Sequence, residues 1–218
     1  YATSKDDLKP VLSGVYIKFE TNTITSVATD GHRLVKYIQK GDVYQVNIAQ
    51  INEIELEESS WDLYKRLRKI TPSNYSAFLR YPELDILSTS PEHFVSLNNS
   101  LVESKPMKGT RPRGEDSILD EVLFNELKNS SKDKAENLMI VDVVRNDLGK
   151  VCIPGSIKVE NLFEIEKYEH VFQMITDIHA KLNDKYNNID LLFSCFPGGS
   201  VTGAPKIRAM EIIDELEP

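Results

Sequence analysis

Cysteine is nearly absent from this sequence. Its two copies, Cys152 and Cys195, fall in no metal-binding or redox spacing, so neither a zinc module nor a disulfide scaffold can be read, and both are expected to be buried free thiols. Long apolar runs are also missing. No stretch approaches the roughly 20 residues that span a bilayer, and no charged-then-apolar leader opens the chain. The expectation is a cytoplasmic protein without a membrane partner. Basic residues are the minority, 26 Lys and Arg against 34 Asp and Glu, and the formal net charge of -8 argues against a general nucleic-acid binder. Local basic clusters remain at 65–69 and 105–113. What is present suffices for a core: 218 residues, 40% of them hydrophobic, fit one large domain or one domain with a small appendage. The chain opens on Tyr1 rather than methionine and stops just after an amphipathic run, so it is read as a fragment.

The stretch Pro106-Met-Lys-Gly-Thr-Arg-Pro-Arg-Gly114 sets Lys108 against a glycine turn and two arginines. A lysine attacks only as the neutral amine, so burial or nearby positive charge must lower its pKa. Arg111 and Arg113 are expected to supply that charge and to grip a carboxylate. The plainer reading is a solvated basic loop, and the segment alone favours it.

In chain order, Val15–Phe19 and Ile24–Thr29 alternate around a polar turn and read as a hairpin, followed by a tight Asp30-Gly31-His32-Arg33-Leu34 turn. Gln45 and Asn47 share one face of a further strand. A helix is expected over Ser60–Ile70, with Trp61, Leu63, Tyr64 and Leu67 as its apolar stripe. A hairpin turns about Pro82-Glu83, and helices follow over 119–129 and 131–149, the latter stopped by a glycine. Strands are expected at 156–159, 162–165 and 171–182, and a helix begins near Ile189. Phe196–Lys206 is a glycine-rich loop leading into a helix from Ala204 to Leu216. Such a loop can present backbone N–H groups to a carboxylate or phosphate, although it lacks the P-loop and dinucleotide spacings.

Two resemblances follow. Thr3–Val15 with Ala28-Thr-Asp-Gly-His-Arg-Leu34 resembles the middle domain of the bacterial DNA polymerase sliding clamp over about residues 1–36. In that family the turn matching Thr29, Gly31, His32, Arg33 and Leu34 helps line a groove for hydrophobic peptides. The pattern ends between Leu34 and Ile38. Four later segments, Tyr37–Gln50, Ser90–Phe94, Pro106–Gly114 with Ala135–Gly149, and Phe196–Met210, resemble the chorismate-binding enzymes in the same order, and within them the aminodeoxychorismate synthase branch. Related branches carry Pro-Ile-Ala-Gly-Thr where this chain has Pro-Met-Lys-Gly-Thr.

The resemblance implies that Lys108 attacks ring carbon 2 of chorismate as the 4-hydroxyl leaves, and that ammonia enters at carbon 4 and expels the lysine. It makes Glu92 the acid that assists the poor leaving group. Glu136 is implied as a ligand of Mg²⁺ holding the substrate's ring carboxylate, and Thr110, Gly199, Ser200, Thr202, Gly203 and Lys206 as substrate contacts. The family's active-site histidine is matched by Gln173, with His170 and His179 out of register. A glutamine amidotransferase subunit is implied as the ammonia source. Further substrate- and metal-binding residues are implied beyond Pro218, so turnover by this chain is expected to be weak or absent.

The expectation is therefore an α/β (α+β) protein of the chorismate-binding fold, with largely antiparallel sheets and outer helices, incomplete at its carboxyl end. A clamp-type hairpin over 1–36 precedes the partial chorismate-binding domain at 37–218. The expected function is chorismate amination for para-aminobenzoate and folate biosynthesis. The alternatives are a sliding-clamp fragment, with DNA reached only indirectly, and another chorismate enzyme such as anthranilate synthase component I.

Overall fold

A computed structural model describes residues 15–20, 23–29, 34–40, 43–49, 52 and 55–217, with the backbone alone described as far as residue 40. The chain forms two compact units, one of Tyr1–Ile48 with Thr202–Pro218 and the other of Ala49–Val201.

In the first unit β1 (Val15–Glu20), β2 (Thr23–Thr29) and β3 (Leu34–Lys40) form an antiparallel sheet in the order β1-β2-β3. The expected hairpin is present. Strand β3 is continuous through residues 34–38, where the clamp-like pattern ends, and pairs with β2 from Thr23↔Lys40 to Thr29↔Leu34. The turn residues Gly31, His32 and Arg33 lie outside the described residues. A short strand β4 (Gln45–Val46) completes the amino-terminal part of this unit.

The second unit opens with α1 (Ser60–Ile70), capped where Ser59 Oγ accepts from the Asp62 N–H at 3.1 Å. Its stripe packs on the hairpin of β5 (Tyr75–Arg80) and β6 (Asp85–Ser90), with the Trp61 and Tyr64 rings 5.1 and 5.4 Å from Phe78. Then come β7 (His93–Asn98), β8 (Leu101–Lys105) and β9 (Met107–Pro112). Two outer helices follow, α2 (Ser117–Asn129) and α3 (Ser131–Gly149), before β10 (Lys158–Lys167) and β11 (Val171–Lys181).

These five strands make one antiparallel sheet ordered β10-β11-β8-β7, with β9 also on β11. Pro106 has no N–H to give a ladder, and it divides what would be one long strand. β8 therefore pairs with the carboxyl end of β11 and β9 with its amino end, while the Pro106 carbonyl accepts from the Thr176 N–H at 3.3 Å. The two strands expected at 156–159 and 162–165 are a single β10. A register shift between Glu160 and Glu164, with Asn161 and Phe163 at positive φ, breaks its alternation and made it read as two.

One face of β11 buries Phe172, Met174, Thr176, Ile178 and Ala180. Ile140, Val141 and Leu148 of α3 are fully buried, the latter two in one cluster with Val102 and Ile178; at about 25 cal/mol per Å² such burial is the main stabilising contribution. A polar contact crosses this core: Thr176 Oγ1 donates to Asn137 Oδ1 at 2.6 Å, and Asn137 Nδ2 donates to the Met174 carbonyl at 3.3 Å. Both groups are fully buried and satisfied, which avoids the ~1–3 kcal/mol that an unmade bond would cost. Gly149 ends α3 inside the helix, and Lys150 rather than a left-handed glycine is its cap.

Helix α4 (Asn188–Cys195) starts at a reciprocal capping box between Asn187 and Asp190. The glycine-rich segment then departs from the expected loop. Gly199–Thr202 is a helical turn, α5, and Gly203-Ala204 is a strand, β12, which pairs with β4 inside the first unit. The last helix, α6, accordingly starts at Lys206 rather than Ala204 and runs to Leu216 with Pro205 as its cap; it buries Ala209 and Ile212 against Val43 and Val46.

Candidate active site

Within the second unit a cleft of about 210 Å³ opens beside the sheet, lined among others by Ser90, Glu92, Phe94, Ser104, Cys195 and Ser200. Glu92 sits in the turn between β6 and β7, where its N–H donates to Ser90 Oγ at 3.3 Å. Its Oε1 accepts from two donors, the Met107 N–H at 3.3 Å and Ser200 Oγ at 2.5 Å. Burial pushes the Glu92 carboxyl above the usual range; Ser200, Met107 and the charge of Lys108 oppose it without overcoming it. Lys108 extends from β9 and its Nζ donates to the carbonyl of Ser200, a cleft-lining residue, at 3.2 Å. Ser200 thus touches both groups.

The segment carrying Lys108 is a strand, not a solvated loop. Its register on β11 slips between Met107 and Thr110, and Gly109 sits at that bulge with φ +91°, where only glycine is unstrained. A Cβ there would lie 2.9 Å from Asp133 Cβ and 3.0 Å from Leu127 Cδ1, so the glycine also permits close approach of α2 and α3. Thr110 Oγ1 donates to Gln173 Oε1 at 2.8 Å across the β9–β11 pair, so the residue matching the family's histidine is engaged by a predicted substrate contact.

The two arginines correct an expectation. Arg111 is bound to Glu126 at 2.7 Å and to Asp133 at 3.1 Å. Arg113 grips Asp120 through Nε and Nη2 at 2.7 and 2.8 Å, donates to the Tyr168 carbonyl, and stacks on Phe172 with its Cζ 4.8 Å from the ring centre. Both face α2, α3 and the end of β10, so they brace helices instead of gripping a substrate.

Of the other predicted residues, Gly199 adjoins Ser200, and a Cβ there would meet Val143 Cγ1 at 2.8 Å. Thr202, Gly203 and Lys206 belong to the first unit. Gly203 (φ +144°) lets β12 approach β4, since a Cβ would fall 2.0 Å from the Gln45 carbonyl, and the Thr202 carbonyl accepts from the Asn47 N–H at 2.8 Å. Glu136, on α3, lies 3.7 Å from Lys132 in an exposed pair one turn apart. Among the described residues no group of three or more His, Cys, Asp or Glu side chains could hold a metal ion. Glu136 alone would supply one corner of the octahedral oxygen shell that Mg²⁺ demands.

His170 is exposed and His179 lies between Glu103 and Glu160, at 3.4 and 3.9 Å. Both cysteines are buried free thiols, and burial, then the neighbouring Cys195, pushes Cys152 up to about 11. Cys195 lines the cleft, a placement that no spacing in the sequence signalled.

Comparison with known proteins then decides the family. The model of the chorismate binding enzymes matches residues 29–218. The chain belongs to this family. The model of the central domain of the DNA polymerase III beta subunit matches residues 1–51, overlapping the first match. Aminodeoxychorismate synthase component 1 of Salmonella typhimurium is 48% identical over 182 residues, covering 84% of this chain and 40% of that protein. The enzyme of the same name from Bacillus subtilis is 41% identical over 217 residues, 100% of this chain and 46% of its own length. Anthranilate synthase component 1 of Saccharolobus solfataricus is 43% identical over 183 residues, 84% of this chain and 44% of the relative. The crystal structure of anthranilate synthase component I from Streptococcus pneumoniae superposes with a TM-score of 0.66 at 34% identity, covering 75% of this chain and 35% of that one. The chain therefore spans less than half the length of these relatives. No helix among the described residues is long and apolar enough to cross a membrane.

Proposed function

We propose that this chain carries the lysine and acid of a chorismate-aminating enzyme, forming 4-amino-4-deoxychorismate with ammonia from a glutamine amidotransferase partner, toward para-aminobenzoate. The observation that carries the reading is the placement of Lys108 Nζ and the Glu92 carboxylate on opposite ends of one residue, Ser200, at a cleft. A neutral Lys108 amine attacks ring carbon 2 as both ring double bonds shift one position toward carbon 4 and the carbon 4 hydroxyl departs as water, its proton coming from Glu92. Ammonia then bonds to carbon 4, both double bonds return, and the carbon–Nζ bond breaks, restoring the neutral lysine, while the ammonium formed at carbon 4 gives a proton back to Glu92. An acid that burial makes harder to ionise suits the first step, because hydroxide is a poor leaving group. Thr110, Gly199 and Ser200 of the second unit are the proposed substrate contacts; Thr202, Gly203 and Lys206 stay in the proposal through the family alone. Mg²⁺ with Glu136 as a ligand stays in the proposal through the family alone, and no step is assigned to it.

The test is incubation with chorismate and Mg²⁺, with and without ammonium, read by intact mass and product chromatography. A covalent adduct on Lys108 in the absence of ammonium, cleared by adding it and missing from Lys108→Ala, is the expected result, and it does not require multiple turnovers. Anthranilate or isochorismate as the product, or an adduct that survives Lys108→Ala, overturns the reading. Binding of a hydrophobic clamp-ligand peptide would favour the clamp alternative instead.

A further inference from the structure

We propose that Ser200 is a positioning residue for Glu92, anchoring the carboxyl oxygen that the Met107 amide also holds and keeping that acid at a set distance from the Lys108 amine. The inference rests on the proposed role of Glu92 as proton donor, but its geometry does not depend on the substrate.

Both donors to Glu92, the Ser200 hydroxyl and the Met107 N–H, converge on the same oxygen, Oε1. The amide can only donate. With Oε1 kept as an acceptor, a proton on this carboxyl resides on Oε2, and that is the oxygen left to meet a departing hydroxyl. The other end of Ser200 acts on the amine, since its carbonyl accepts from Lys108 Nζ at 3.2 Å. One residue therefore spaces acid and nucleophile through its side chain and backbone together. What places it is the glycine before it: Gly199 lies so close to Val143 of α3 that a Cβ would fall 2.8 Å from Cγ1. The turn carrying Ser200 is seated against the most buried helix of the unit rather than left to a loose loop. Burial holds Glu92 protonated to higher pH than usual, and the Ser200 hydroxyl pulls in the opposite direction, so the serine tunes when the acid releases its proton.

The experiment is a carboxyl-carbon NMR titration of the protein labelled at glutamate side chains, with Glu92→Gln identifying the Glu92 signal. Ser200→Ala is expected to move the Glu92 midpoint upward by about one pH unit, since a hydrogen bond to a charged group is lost. Ser200→Thr is expected to restore it. Ser200→Cys, a weaker donor, is expected to fall between them, and it stands in should the alanine variant not fold. A midpoint that stays at the parent value in the folded alanine or cysteine variant overturns the proposal, as does failure of threonine to rescue a shifted one. If the titration shifts as expected while no variant or parent forms an adduct with chorismate, the functional reading fails and the positioning role stands.

Discussion

Two carboxyl groups close off the ends of the segment from Met107 to Gly114, and they titrate in opposite directions. At the near end Glu92 accepts from the Met107 N–H; just past the far end Asp120 accepts from the Gly114 N–H at 2.9 Å. Each holds one backbone donor, so the backbone does not explain the difference. For Asp120 the second partner does, and for Glu92 burial does. Asp120 meets the two-pronged Arg113 guanidinium, which holds its carboxyl at about 2, well below the usual range. Glu92 meets a neutral hydroxyl in a buried cleft, and burial raises it. The comparison separates a carboxylate that braces the fold from a carboxyl that keeps its proton to higher pH than usual.

The most complete effect expected is on chemistry. Lys108→Ala should abolish the chorismate adduct while leaving the urea midpoint near the parent's, because this side of β9 carries the amine and not the bracing. A large drop in that midpoint would show that the two faces are not separable. Phe172→Ala attacks the bracing side, where the ring is fully buried beneath Arg113 and beside Phe124. A loss of about 3–5 kcal/mol is expected in equilibrium unfolding. Gly109→Ala should cost about 1–3 kcal/mol from overpacking against Asp133 and Leu127, measured in the same way. A neutral result there would mean that α2 and α3 do not rest on the bulge.

The smallest effects test the titrations directly. Asp120 is depressed in the folded state, so its contribution is fully present above the unfolded aspartate value of about 3.9 and is lost as pH falls through about 2. Asp120→Asn should therefore flatten the acid side of the melting-temperature profile. Glu92 has the opposite sign: an acid raised by folding favours the folded state at low pH, and that contribution disappears as pH climbs from its unfolded value through its folded one. Glu92→Gln should remove this decline. Equal slopes in the two variants would erase the distinction between bracing and acid carboxyls.

Local chemistry made much of the architecture legible. The Ser60–Ile70 helix with its apolar stripe, the Pro82-Glu83 hairpin and the apolar spacing of α3 all agree with the structure, because each signal is confined to one element. Beyond one element the pattern misled. β10 read as two strands because positive-φ Asn161 and Phe163 break its alternation, and Gly203-Ala204 read as loop and helix because the close approach of β4 cannot be seen from the glycine alone. Arg111 and Arg113 were legible as charge but not as partners, since Asp120, Glu126 and Asp133 come from helices that fold back on the strand. Cys195 carried no motif at all.

The sequence by itself determined the family and the chemical inventory: the lysine in Pro-Met-Lys-Gly-Thr, the carboxyl in Ser-Pro-Glu and the order of four motifs are covalent facts that survive without a fold. Tertiary structure alone decided which charges meet. Burial and partner identity set whether a carboxyl is held ionised or protonated, and both depend on residues distant in sequence, as Glu92 and Ser200 are from Lys108.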